Sequence, residues 1–310
     1  MKSNNKSDLV ISNLNKTYIN KNNNRVIALK NISFNVKKGT MLALLGPNGA
    51  GKSTLINILS GIVNKSSGSI AINGYDVDKD IRSAKLSIGV VPQELVIDPY
   101  FTPRETLNFQ AGYYGIKKPQ LIVDELLEKL KLKDKANAYV RHLSGGMKRR
   151  LMIAKAMVHS PQILILDEPT AGVDVSLRNL LWENIKDLNK KGTTILITTH
   201  YLEEAESICE DVAIINKGEI VINGNIKSLI KNIDKKSLNI SLESSIKTIS
   251  KSLKNIGFQI KEKKLLYIEY NPSKYSVGFL ISQVLENHLI IKDIAVDEAN
   301  LEDLFKRIVD

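Results

Sequence analysis

Residues 46–53 read Gly-Pro-Asn-Gly-Ala-Gly-Lys-Ser, the spacing G-x-x-x-x-G-K-[ST] set between an apolar run and a helical stretch. The glycines let backbone N–H groups converge on phosphate oxygens, an approach that a Cβ would obstruct. The helix that starts near Lys52 points its N-terminus at the same spot and adds partial positive charge. Lys52 can reach β and γ phosphates, and the Ser53 hydroxyl can ligate Mg²⁺. In isolation such a segment could be a glycine-rich turn with an incidental lysine. Its place between a strand and a helix favours nucleotide binding.

A second group of candidates lies downstream. The apolar run Ile163–Leu166 ends in Asp167-Glu168-Pro169, and the C-terminal end of a strand is where an α/β sheet presents ligand groups. Asp167 can hold Mg²⁺, directly or through water, and Glu168 can orient or deprotonate an attacking water. Asp-Glu-Pro alone usually means a solvated turn; a phosphate loop in the same chain reverses that preference. His200 closes the run Ile195–Thr199. Most histidines at strand ends are structural, but a strand beside the Asp167 strand would bring this one to the γ-phosphate edge. Gln93 follows the strand expected at Ser87–Val91. Leu143-Ser144-Gly145-Gly146-Met147 opens a helix, which makes a second anion-binding point. Lys148, Arg149 and Arg150 come next, and either favour phosphate or solvate a helix face.

These groups need strands and helices to position them. Ile32, Phe34 and Val36 alternate with polar residues, the pattern of a half-buried strand. Asn20–Asn24 reads as a turn. Met41–Leu45, Ile163–Leu166 and Thr194–Thr198 are short apolar runs suited to strands buried on both faces. Residues 94–160 read as mainly helical, with Ile122, Leu126, Leu127 and Leu130 on one face of a helix. Leu151, Ala154 and Val158 share a face of another, which follows Gly146. The alternation argues for a mostly parallel α/β core. Residues 225–236 look like a connector. Beyond it the order is strand (238–242), helix (246–256), strand (258–260), strand (265–270), helix (277–289), strand (290–296) and a closing helix (301–309). That β-α-β-β-α-β order suggests a small ferredoxin-like α+β domain.

A chain with both a phosphate loop and a Ser-Gly-Gly helix start resembles the ATP-binding cassette (ABC) ATPases. The two elements cannot grip the same phosphate within one subunit; in that family each nucleotide is sandwiched between the phosphate loop of one subunit and the signature of another. The resemblance covers about residues 8–230. It implies that Tyr18 stacks on adenine and that Gly46, Pro47, Asn48, Gly49, Ala50, Gly51, Lys52, Ser53 and Thr54 bind the nucleotide. Gln93 matches the Q-loop glutamine that senses Mg²⁺ and the membrane partner, so Ser53, Gln93 and Asp167 are the implied metal residues. Ser144, Gly145 and Gly146 match the signature, with Met147 where glutamine is usual. Glu168 matches the catalytic glutamate and His200 the switch histidine. Ala171–Asp174 matches the D-loop, which places Asp174 among the nucleotide-binding residues.

Met147, the stretches Val91–Glu94 and Phe101–Thr106, and Asn300–Phe305 look like the type-2 exporter branch, the drug and polysaccharide exporters. The implied fold is a P-loop NTPase domain at 8–230, a mostly parallel sheet with an antiparallel β subdomain and a helical subdomain at about 94–160. A small accessory domain fills 231–310. The implied activity is ATP hydrolysis in a head-to-tail homodimer that powers a separate membrane permease. The alternatives are an importer ATPase, or a soluble ATPase acting on nucleic acid or ribosomes. The last would call for two cassettes, a coiled-coil insertion or zinc-binding cysteines, so no nucleic-acid partner is expected.

Composition narrows the rest. The chain has 310 residues and one cysteine, Cys209, which excludes an intramolecular disulfide and a zinc site built on cysteine pairs. No apolar run approaches the roughly 20 residues of a membrane span, and the first ten residues contain no apolar block like a signal peptide. The expectation is a cytoplasmic chain, peripheral on the inner face of the plasma membrane through its permease. Net charge is +11. Residues 1–224 hold 30 basic and 22 acidic residues and the remainder 14 and 11. The excess is therefore spread along the chain, without the basic tail of a nucleic-acid binder. The transported substrate is not written in this chain.

Overall fold

The computed structural model describes residues 7–19, 23–173, 175–233 and 235–309. Asp174 and most of the expected turn at 20–24 lie outside the described residues. The chain divides into two compact units, one within Met1–Asn225 and one spanning Ile226–Ile308.

In chain order the first unit contains β1 (Ser7–Ile19), β2 (Arg25–Lys37), β3 (Met41–Leu45), α1 (Lys52–Leu59), β4 (Ser67–Ile72), β5 (Tyr75–Asp76), α2 (Ile81–Leu86) and β6 (Ile88–Val91). Then come α3 (Pro103–Tyr113), α4 (Gln120–Lys129), α5 (Gly145–Met157), β7 (Ile163–Asp167), α6 (Val175–Lys190), β8 (Thr194–Thr198), α7 (Leu202–Ile208), β9 (Asp211–Asn216) and β10 (Glu219–Asn225). One sheet runs β10-β9-β3-β8-β7-β6. Its strands are parallel from β9 to β6, and β10 folds back antiparallel on β9. Every residue of β3 and β8 is buried, as the unbroken apolar runs require of strands covered on both faces.

The other sheet is antiparallel, in the order β2-β1-β4-β5. Ile32, Phe34 and Val36 are its inward residues on β2, each at most 5% exposed. They share one core with Leu42 and Leu44 of β3 and with Leu55, Ile58 and Leu59 of α1. The phosphate-loop helix is thereby anchored by both sheets, each buried leucine or isoleucine adding about 1.5–3 kcal/mol.

The helical region starts at Thr102, whose side chain and backbone form a capping box with Glu105, followed by Pro103 at the first helical position. On α4 the buried stripe is Val123, Leu126 and Leu127, continued by Leu130. Ile122 is only half-buried, so the stripe is rotated from the one expected. α5 begins at Gly145 rather than after Gly146. Ser144 is its N-cap and accepts a hydrogen bond from the Met147 N–H at 3.3 Å. Leu151, Ala154 and Val158 are fully buried.

The second unit holds α8 (Ile226–Lys231), β11 (Lys236–Leu242), α9 (Lys251–Ile256), β12 (Gln259–Glu262), β13 (Leu265–Tyr270), α10 (Val277–Glu286), β14 (Ile291–Glu298) and α11 (Leu301–Val309). Its sheet runs β12-β13-β11-β14, antiparallel throughout. Leu238, Ile240, Leu266 and Ile268 pack against Leu253, Leu280 and Val284 of the helices. Two details differ from expectation. The stretch read as a connector contains α8. The helix expected from Ile246 starts only at Lys251, because Ser250 caps it and the Ile246 N–H is spent on the Lys263 carbonyl. No helix among the described residues is long and apolar enough to cross a membrane.

Candidate nucleotide site

The parallel strands end along one edge of the central sheet, and each candidate residue follows one of them. The phosphate loop leaves β3, Gln93 leaves β6, Glu168 leaves β7 and His200 leaves β8. Two loop glycines are required by their surroundings. A Cβ on Gly46 would sit 2.2 Å from the Ile215 carbonyl oxygen. Gly51 has φ +117° and would bring a Cβ to 2.8 Å from the Ala28 carbonyl oxygen. Gly51 is also the N-cap of α1, and no side-chain cap satisfies that helix start. Its leading N–H groups therefore face the loop, as anion binding needs. Lys52 Nζ donates to the carbonyls of Gly46 at 2.6 Å and Pro47 at 3.0 Å. Burial pulls its pKa down, and the negative charge of Glu168 and Asp167 partly restores it.

Register delivers the acidic pair. Asp167 lies beside Thr198 in the β7–β8 ladder, and the Thr198 hydroxyl donates to Asp167 Oδ1. The Glu168 N–H in turn donates to the Thr198 hydroxyl at 3.0 Å and its carbonyl at 3.1 Å. Glu168 has φ +46°, a left-handed backbone that costs a non-glycine residue of order 1–3 kcal/mol and that the Thr198 bonds sustain. Two predicted residues converge on its carboxylate: Gln93 Nε2 donates to Oε2 at 2.8 Å, and His200 Nδ1 stands 3.5 Å from the same oxygen.

Two further predicted groups stand on other elements, β1 and α5. Tyr18, at the end of β1, is 38% exposed, with Lys16 Nζ 4.7 Å from its ring centroid. Ser144, Gly145 and Gly146 stand at the exposed start of α5. As an acceptor toward Met147, Ser144 still has its own hydroxyl proton to donate.

Sequence reasoning missed Thr198, hidden in an apolar run, and misread two arginines. Arg149 and Arg150 do not solvate a helix face; they are 4% and 7% exposed, with their guanidinium groups bonded to backbone carbonyls. Arg149 donates to the carbonyls of Pro92 and Gln93, both at 2.9 Å, and so fixes the loop that carries Gln93. Arg150 donates to the carbonyls of Leu130 and Lys131 at 2.8 and 3.1 Å. Burial lowers the pKa of both. Their positions on the buried side of α5 were the only signal available.

Two further surfaces stand out. Between Ile97 and α3 lies a cleft of about 350 Å³ lined by Phe101, Phe109 and Tyr113. Phe109 and Tyr113 are 52% and 86% exposed. In the second unit a cavity of about 450 Å³ is lined by residues of β11, β13 and α11, with its rim charges paired as Lys236–Glu298 and Lys235–Glu269.

A phosphate loop, an acidic pair at the neighbouring strand end and a histidine facing the second acid define a P-loop nucleoside-triphosphatase site. Residues 29–171 match the family model described as ABC transporter. The chain is 36% identical over 285 residues to the linearmycin resistance ATP-binding protein LnrL of Bacillus subtilis, covering 89% of this chain and 92% of that protein. It is 44% identical over 208 residues to the Nod factor export ATP-binding protein I of Burkholderia thailandensis, covering 66% and 68%. Among solved structures it resembles an ATP-binding subunit of an ABC transporter, with 30% identity, TM-score 0.65 and coverage of 72% and 92%. It also resembles a dimeric ATP-binding cassette in a post-hydrolysis state bound to ADP and Pi, with 26% identity, TM-score 0.63 and coverage of 70% and 98%. The chain belongs to the ABC transporter family, as an ATP-binding and ATP-hydrolysing subunit.

Proposed function

We propose that two copies of this chain close head to tail around ATP and that closure and reopening drive export through a separate membrane permease. The first unit, up to Asn225, forms the ATP-binding domain, with 94–160 as its helical part, and the second, from Ile226, forms an accessory domain. The observation that carries the reading is the convergence of Gln93 and His200 on the Glu168 carboxylate. A general base must be held in place by neighbours that also contact the reacting group. Glu168 orients the water, His200 fixes the γ-phosphate edge, and Gln93 joins the site to the loop that leads to the permease. Lys52 and the backbone of 46–54 hold the phosphates, Tyr18 stacks on adenine, and Ser144, Gly145, Gly146 and Asp174 serve the nucleotide of the opposing copy.

Mg²⁺ fits the same edge. No group of three or more His, Cys, Asp or Glu able to hold a metal occurs among the described residues. Ser53, Asp167 and Gln93 offer a few hard oxygen donors, the set that suits an ion keeping waters and phosphate oxygens as its other ligands. When bound, it would neutralise developing phosphate charge.

Export is supported by two relatives, one a Nod factor export protein and one a linearmycin resistance protein. The permease would meet the exposed cleft at Phe101, Phe109 and Tyr113, which lies on the helical region reached from Gln93. That contact would hold the subunit at the cytoplasmic face of the membrane. Glu168→Gln tests the mechanism. It should bind ATP, lose turnover about 100-fold or more, and accumulate as a dimer in ATP and Mg²⁺ by light scattering. A variant that stays monomeric at saturating nucleotide would refute the sandwich.

A further inference from the structure

Beside the Glu168–His200 corner lies a polar cluster that the sequence did not single out. Its centre is Arg178, in the first turn of α6. Arg178 Nη1 lies 3.2 Å from Glu204 Oε1 on α7, with the two side chains only 24% and 12% exposed. Arg178 Nη2 donates to the Val173 carbonyl at 3.4 Å. The guanidinium carbon stands 4.5 Å from the centroid of the Tyr201 ring. Tyr201 in turn packs against His200, ring centroids 4.0 Å apart. Glu204 Oε2 accepts from the Thr170 hydroxyl at 2.9 Å, and Thr170 stands two residues past Glu168. One ion pair thus gathers both flanks of the proposed reaction centre, the loop after Glu168 and the residue after His200.

An ion pair this sheltered contributes little net stability, because desolvation offsets most of the attraction. It does impose a geometry. An arginine can send one nitrogen to a carboxylate and another to a carbonyl while its plane lies near an aromatic ring; a lysine has no such fork. We infer that Arg178 is a positioning residue for ATP hydrolysis. With Glu204 and Tyr201 it holds His200 and the 169–173 loop in register with Glu168, and touches no reacting atom itself. This rests on the reading of Glu168 and His200 given above.

The test compares Arg178→Gln, Arg178→Lys, Glu204→Gln, the Arg178→Gln/Glu204→Gln double variant, Tyr201→Phe and Tyr201→Leu in the full chain. Glu168→Gln serves as the control. Turnover, KM for ATP, ATP affinity and thermal midpoint are measured on each. Arg178→Gln should lower kcat about tenfold with KM and ATP affinity within about twofold of the parent. Arg178→Lys should fall between. The double variant should be no slower than the worse single one, because the pair acts as a unit. Should the charge variants fail to fold, the Tyr201 variants decide alone: phenylalanine keeps turnover and leucine loses it. Unchanged kcat, a KM that rises in step, multiplied losses in the double variant, or equal Tyr201 variants would each overturn the role. If Glu168→Gln loses turnover and Arg178→Gln keeps it, this inference alone fails. If Glu168→Gln keeps turnover, the hydrolytic reading fails and takes the inference with it.

Discussion

At the scale of single residues, the site depends on side chains that never face nucleotide. Arg149 is the strongest case. Its two hydrogen bonds end on the carbonyls of Pro92 and Gln93, acceptors with no regular strand partner at that point. Removing a buried donor leaves its acceptors unsatisfied at about 1–3 kcal/mol each. Arg149→Met should therefore lower stability by about 2–6 kcal/mol in urea denaturation. It should also slow turnover more than it weakens ATP binding, because Gln93 loses its anchor while the phosphate loop is untouched. A variant as stable and as fast as the parent would show that the Gln93 loop holds its shape unaided. Thr198 works in the same way, since one hydroxyl sets both the Asp167 carboxylate and the Glu168 backbone.

At the scale of elements, the helical region presents its aromatic residues outward. α3 buries Leu107 and Ala111 and leaves Phe109 and Tyr113 exposed, a surface that suits a partner segment better than water. Phe109→Asp should remove the permease from detergent co-purification while the isolated chain binds ATP within about twofold of the parent. Retained co-purification would place the contact elsewhere. This element also marks the limit of what sequence could reveal. The phosphate loop, the acidic pair and His200 were legible because each follows an unbroken apolar run, and parallel pairing of such runs brings their ends to one edge. The α4 stripe was misplaced by one residue, since Ile122 and Val123 are both apolar and only packing chooses between them. Arg149, Arg150 and Arg178 were illegible as structural residues. A buried arginine and a solvated one read alike until the carbonyls and carboxylates around it are known. The second unit read well in element order and less well in boundaries, where Ser250 and its cap set the start of α9.

At the scale of the whole molecule, the proposed head-to-tail closure implies that one copy holds only part of the site. The start of α5 is exposed, and the resemblance pairs it with the phosphate loop of another copy. ATP turnover per subunit should then fall as the protein is diluted, becoming proportional to protein concentration below the dimer dissociation constant. Specific activity that stays constant over a hundredfold dilution would mean that a single copy completes its own site. Ser144 lies on that exposed surface, so its loss should affect turnover and leave the first binding of ATP to the isolated chain intact.

The strand order of the central sheet has a consequence for the chain's biogenesis. β3 carries the phosphate loop, yet its two neighbours are β8 and β9, and the wall against which Gly46 fits belongs to Ile215. The ribosome makes the loop early and its seat late. At about 5–20 residues per second the gap lasts roughly 8–35 s. During it Lys52 and Ser53 exist without the strands that hold them. A nascent chain gains its grip on ATP only when nearly all of the first unit has emerged, so nucleotide can stabilise the finished fold but cannot guide its early steps.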